Sequence, residues 1–149
     1  MGTLATERWR ISWVCRHTWR RSVVNTLWCL AGCSIGDLGT IGFFQAFEIM
    51  WPTAAILALA MINGILTSIA LESLILSKQM PWKAAFQTAC GMSLISMVAM
   101  ETAMNLVDVV VTGGAKMTVA VLPWIFLAGF LTPLPYNYWR LKALGKACH

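Results

Sequence analysis

Charge is what this sequence has least of. Asp, Glu, Lys and Arg make up 11% of its 149 residues, and just 6 of them are acidic. A soluble domain carries about 25%, and no soluble fold this small could hide a chain that is 58% hydrophobic. Lipid is the solvent that such a composition calls for. Histidine is scarcer still, with 2 residues, so thiol and imidazole meet in sequence only at Cys15-x-His17 and Cys148-His149, both near the chain ends. There is no Walker loop, dinucleotide glycine motif, HExxH or nucleophile elbow, and no enzyme is expected. Residues 1–20 hold charges and tryptophans rather than a short apolar core with a small-residue cleavage site, so no cleavable signal is expected. The net charge of +5 lies in flanking segments that form no platform for nucleic acid.

Long apolar runs dominate the remainder. Four can be drawn, at about Ser22–Phe44, Pro52–Leu76, Ala84–Val111 and Met117–Tyr138, each near the ~20 residues a bilayer requires. Breakers separate them: Glu48 to Pro52, Lys78 to Lys83, and Thr112 to Lys116. The expected fold is an all-α membrane protein, four transmembrane helices in an up-down-up-down bundle, because connections this short force neighbours antiparallel. Of the 11 Lys and Arg residues, all but Lys116 fall in the N-terminal segment, the 78–83 loop or the C-terminal tail. The bias predicts both termini on the cytoplasmic side of a bacterial inner membrane. The organisation reads as a basic, Trp-rich interfacial segment at 1–21, the bundle at 22–140 and a short tail at 141–149. Trp51, Trp82 and Trp139 fall where an interfacial aromatic belt would. Five cysteines are an odd number, and ends kept in the cytoplasm stay reduced, so no disulfide framework is expected.

Chemistry concentrates on two helical faces. In the first span Asn25, Cys29, Gly32, Cys33, Gly36 and Thr40 share one side at ~100° per residue, with Asp37 at its margin. The four-residue spacing stacks both sulfurs, a workable pair for Cu(I) or Zn(II). Gly32 and Gly36 let a second backbone approach closely and are expected to pack helices. In the third span Cys90, Ser93, Met97, Met100, Glu101, Met104 and Asp108 fall within about a quarter turn. Methionine in a helix is ordinarily core filler, but here it alternates with acids and a thiol, and thioethers favour Cu(I). Asp37 and Glu101 lie at matching depths, ~22–26 Å along their helices. Should spans one and three touch, thiols form one tier and carboxyls another, and two such carboxylates cannot both ionise without a cation between them. Asn63 and Thr67 of span two stand at mid-depth as candidate partners for the acids, with Asn105 and Asn137 as bridging amides. Glu72 reads as interfacial, Pro133 and Pro135 as a break near one end of span four, and Tyr136 to Trp139 as an interfacial anchor.

The run Trp28-Cys29-Leu-Ala-Gly32-Cys33-Ser-Ile-Gly36-Asp37 resembles a bacterial multi-pass membrane family, domain of unknown function 4396, whose members look like His-Cys-x-x-Gly-Cys-x-x-Gly-Asp here. Similarity continues through Met100-Glu101, Asn105 and Asp108, and through Gly129 to Trp139, covering about residues 20–142. Trp28 stands where the family has histidine. The resemblance implies fold and membrane location and carries no activity with it. From the residues themselves the leading expectation is a site for a soft metal ion, copper first, with Cys29, Cys33, Cys90, Met97 and Met104 as soft ligands and Asp37 and Glu101 balancing charge or exchanging protons. Its rivals are a structural or accessory subunit of a larger membrane complex and a proton-coupled carrier for a small solute, the carrier expected as a homo-oligomer.

Overall fold

Proline marks where the helices of this protein begin. The computed structural model describes residues 13–116 and 118–143, whose regular elements are α1 (Arg16–Ala46), α2 (Thr53–Leu76), α3 (Trp82–Thr112), α4 (Leu122–Leu131) and α5 (Leu134–Ala143). Pro52 and Pro81 occupy the residue before α2 and α3. Pro123 lies in the first turn of α4, and Pro133 and Pro135 flank the first residue of α5. At these places the missing amide hydrogen costs nothing, because a first-turn N–H has no helical acceptor. The far end of α3 is closed by Gly113, which takes a left-handed conformation (φ 76°) and donates its N–H to the Val109 carbonyl at 2.9 Å.

Helices α1 and α2, and residues 93–112 of α3, are long and apolar enough to cross a bilayer. Side-chain placement matches that solvent. Ile35, Leu66, Ile95 and Val110 are 58–74% exposed, while Asp37, Ser68 and Glu101 are at most 1% exposed. Apolar outside and polar inside is the arrangement hydrocarbon selects, and this is a membrane protein. Trp51, Trp82 and Trp139 are exposed near helix ends.

One expectation needs correcting. The fourth apolar run is not one helix from Met117 to Tyr138: it is divided at Thr132–Pro133 into α4 and α5, each 10 residues long. Pro133 cannot donate to the carbonyl four residues back, so the ladder stops there. Part of the basic segment expected at 1–21 falls within helix α1. Arg16, Arg20 and Arg21 form the opening turns of α1 itself, and residues 9–12 lie outside the described residues.

The seam between α1 and α2 fixes the rest of the bundle. A Cβ on Gly32 would lie 2.6 Å from the Cα of Ser68, and one on Gly36 would collide with the Asn63 carbonyl. These pairings run in opposite directions along the chain, so the two helices are antiparallel. Hydroxyls then bond across the close approach. Thr67 Oγ1 donates to the Gly32 carbonyl (2.6 Å), Ser68 Oγ to the Cys29 carbonyl (3.2 Å), and Asn63 Nδ2 to Thr40 Oγ1 (2.9 Å). Beyond the seam α3 packs on α2 and α4 on α3, while α5 returns to α1. The return is held by Tyr138, fully buried, whose hydroxyl accepts the Cys15 N–H and whose ring lies 4.4 Å from Trp19 and 5.0 Å from Trp13. Asn137 Nδ2 donates to Thr26 Oγ1 at 2.8 Å. Asn137 thus bridges two helices, as expected of that amide, while Tyr138 points inward rather than serving as part of the interfacial anchor expected there.

The seam makes a paired prediction. Gly36→Val should destabilise the protein in detergent by about 1–3 kcal/mol, as overpacking does. Gly39→Ala, where nothing lies within 4 Å of an added Cβ, should leave the thermal midpoint unchanged. Fluorescence-monitored melting of the two variants checks both.

Candidate functional site

An interior polar site forms where α1, α2 and α3 converge on Gly64. Adding a Cβ to Gly64 would drive it into the Glu101 carboxyl group, and it would sit 3.1 Å from the Cys33 carbonyl. The missing side chain of α2 is therefore the space that the Glu101 side chain of α3 fills. Glu101 is fully buried. The Cys33 thiol of α1 lies within hydrogen-bonding reach of its carboxyl group, and Asp37 and Cys29 are close enough to act on it electrostatically. Among the described residues no N–H or hydroxyl bonds either carboxyl oxygen. A buried carboxyl group with so little to hold it is costly enough to need a reason.

The surroundings of Glu101 are sulfur and carboxyl. Cys29 and Cys33, 6% and 0% exposed, join Met97, Met100 and Met104, all fully buried, in one cluster. The two thiols are within hydrogen-bonding reach of each other, and Ser68 Oγ lies 3.4 Å from the Cys29 sulfur. Asp37, 1% exposed, accepts from Asn105 Nδ2 at 3.2 Å, and the same amide donates to the Glu101 carbonyl at 2.9 Å. One amide therefore ties the acid of α1 to the backbone of α3 just beside the acid of α3.

Other expected members stand elsewhere. Cys90 is half-buried and outside the sulfur cluster. Near its level Ser93 meets Glu72 and Arg140 rather than the cysteines of α1, so the lower tier holds no Cys29–Cys90 pair. Met104 belongs to the cluster, but its Cγ and sulfur lie where a Cβ on Gly129 would be, at 2.7 and 2.9 Å, which makes it the packing contact between α3 and α4. Asp108 serves the turn after α3. Its Oδ2 accepts the Lys116 N–H (3.1 Å) and its Oδ1 the Thr112 hydroxyl (3.2 Å). Asn63 bonds Thr40, and Thr67 donates to backbone carbonyls, so Asn105 is the amide that reaches an acid. Asn25 lines a separate cavity at the basic end. Cys15 is disulfide-bonded, contrary to the reduced state expected, and cannot pair with His17 as a free thiol. Cys148 and His149 lie outside the described residues.

Sequence reading missed two features. Gly64 was one. Its only signal was the ladder Ala60-x-x-x-Gly64-x-x-x-Ser68, small residues that are all buried. The second is a network at the basic end. Ser93 Oγ donates to Glu72 Oε1 at 2.7 Å, and Arg140 Nη1 lies 3.4 Å from the same hydroxyl. Arg140 is 9% exposed, unlike a basic residue that merely flanks a span. Glu72 is the sole acid of α2, and an acid alone in an apolar helix signals a cation within reach.

Among the described residues no group of three or more His, Cys, Asp and Glu side chains is arranged to hold a metal ion. Any metal here would rest on fewer of these donors, or on thioethers beside them. Fold and site together define a helical membrane protein whose interior holds thiols and paired acids against a glycine gap. A family model described as a domain of unknown function (DUF4396) matches residues 18–146. The chain belongs to that family. No curated protein and no solved structure matches it.

The link between α1 and α3 is measurable. In a double-mutant cycle in detergent, Asp37→Ala and Asn105→Ala should couple by about 0.6–1.7 kcal/mol, the range for interhelical hydrogen bonds in membranes. Additive effects in chemical denaturation would mean that the amide does not tie the helices.

Proposed function

We propose that this protein binds or passes a soft metal ion, copper(I) first, within a bacterial inner membrane. The chain crosses that membrane four times, up-down-up-down, with α4 and α5 together making the last crossing and both termini on the cytoplasmic side, an orientation that the basic residues favour and the Cys15 disulfide opposes. Supporting the orientation, the start of α1, the α2–α3 loop and the end of α5 share one end of the bundle, and that end carries Arg20, Arg21 and Arg140. The observation that carries the metal reading is Glu101: a buried carboxyl group that no N–H or hydroxyl bonds, lying in the space left by Gly64 beside two mutually adjacent thiols.

Soft sulfur donors select Cu(I) over the harder divalent ions. A cuprous ion is satisfied by two thiolates in a line, so Cys29 and Cys33 suffice where a zinc site would need four donors. Met97, in the same cluster, supplies a neutral thioether. Two thiolates around a monovalent ion leave a negative charge. Of the two protons that the thiols release, one goes to whichever of Glu101 and Asp37 is ionised and the other leaves the site. Charge is then conserved as the ion enters and leaves. Cys90 and Met104 have no part in this version of the site.

Protein purified in mild detergent and loaded with Cu(I) under reducing conditions should retain copper at about one ion per chain. Cys33→Ser should abolish retention and Cys90→Ser should not, as read by elemental analysis after desalting. Equal retention by wild type and the Cys29→Ser, Cys33→Ser double variant would overturn the proposal. A second reading draws on the same acids: a proton-coupled carrier for a small solute. It predicts uptake into proteoliposomes that Asp37→Asn abolishes with both cysteines intact.

A further inference from the structure

The basic end of the bundle holds a cavity that the metal reading does not use. Its volume is about 690 Å³, within the 300–1,000 Å³ span of ligand pockets. His17, Arg20 and Arg21 of α1 line it together with Glu72 of α2 and Arg140 of α5. Glu72 lies eight residues beyond Gly64 on α2, about 12 Å further along the helix axis, so this is a separate place in the fold.

Three features indicate what the cavity accepts. Among the described residues its lining carries three guanidinium groups and one carboxyl group. Arg140 is nine-tenths buried and its Nε has no hydrogen-bond partner. A guanidinium is a rigid fork suited to carboxylate or phosphate oxygens, and leaving one of its donors unused in a buried place is costly. The rest of the wall is apolar, with Val24, Trp28, Ile75 and Leu141 on it. A cationic pole joined to an apolar wall fits an anion attached to a greasy or neutral body.

We propose that this cavity binds a phosphate-bearing anion, its phosphate held by Arg20 and Arg140 and the remainder lying along Trp28, Ile75 and Leu141. Glu72 opposes the anion and sets how tightly it is held. The phosphate has two possible sources, the headgroup of an anionic phospholipid or a soluble phosphate compound, and both present the same group to the arginines.

The test uses the full chain in nanodiscs of phosphatidylcholine with or without phosphatidylglycerol. Lipid retained through a detergent wash is counted by native mass spectrometry. A parallel arm measures binding of radiolabelled inorganic phosphate in phosphatidylcholine discs. The expected result is retention in one of the two arms: the first assigns the lipid source, the second the soluble one. Arg20→Gln should weaken binding roughly fivefold, and Glu72→Gln should strengthen it. Arg16→Gln, an exposed arginine outside the cavity lining, should leave binding unchanged. Arg140→Gln would leave Glu72 without its neighbouring cation and can misfold, so the Arg20 and Glu72 variants decide the outcome. Failure of both arms overturns the proposal. So does equal weakening by Arg16→Gln and Arg20→Gln, which would mark general attraction to a basic surface. Loss of copper binding leaves this result untouched, because the two sites share no ligand.

Discussion

Gly64 is a gap through which a carboxyl group of one helix reaches the backbone of another, and the interior of this bundle is organised around it. With any side chain at that position, Glu101 would have to withdraw from between α1 and α2. Its withdrawal would displace Asn105, one turn along α3, and with it the bond to Asp37. The same close approach brings Thr67 and Ser68 within reach of the α1 carbonyls. Steric absence at one residue thus permits a row of hydrogen bonds, and in a medium without water those bonds stabilise the helix pair where hydrophobic burial cannot.

The two ends of the molecule handle charge differently. Toward the glycine gap, acids meet thiols and amides, with no cationic side chain among the groups described around Glu101. At the basic end a carboxyl group, a hydroxyl and a guanidinium form a chain of contacts from α2 through α3 to α5. Cys29 lies between the two regimes, within electrostatic reach of Glu72 and Arg140 on one side and next to Cys33 on the other. The sulfur pair therefore sits at the boundary between a cationic vestibule and an acidic interior.

The membrane character and the reactive face of α1 were legible in the sequence because a carboxylate or a pair of thiols stands out in an apolar run at helical spacing. Three long helices and the inward placement of Cys29, Cys33, Asp37 and Glu101 follow from that pattern. Gly64 was not legible, since a gap has no chemistry of its own and a glycine in an apolar helix reads equally well as filler. Arg140 was hidden for another reason: a basic residue after the last span looks like an orientation signal. Only the break at Pro133 gives α5 a register of its own and turns Asn137, Tyr138 and Arg140 inward. Cys90 misled because a helical wheel shows which residues share a face but not which neighbour that face meets. At the level of Ser93 the face belongs to α2 and α5.

The divided fourth segment also bears on the surrounding lipid. α4 has 10 residues and rises about 15 Å, half the ~30 Å of a hydrocarbon core, whereas the 31 residues of α1 exceed it. α5 adds a further 10 residues, so the two pieces together match the core only across the break at Thr132–Pro133. Lipid on that flank meets a jointed wall, where the flank of α1 offers an unbroken one.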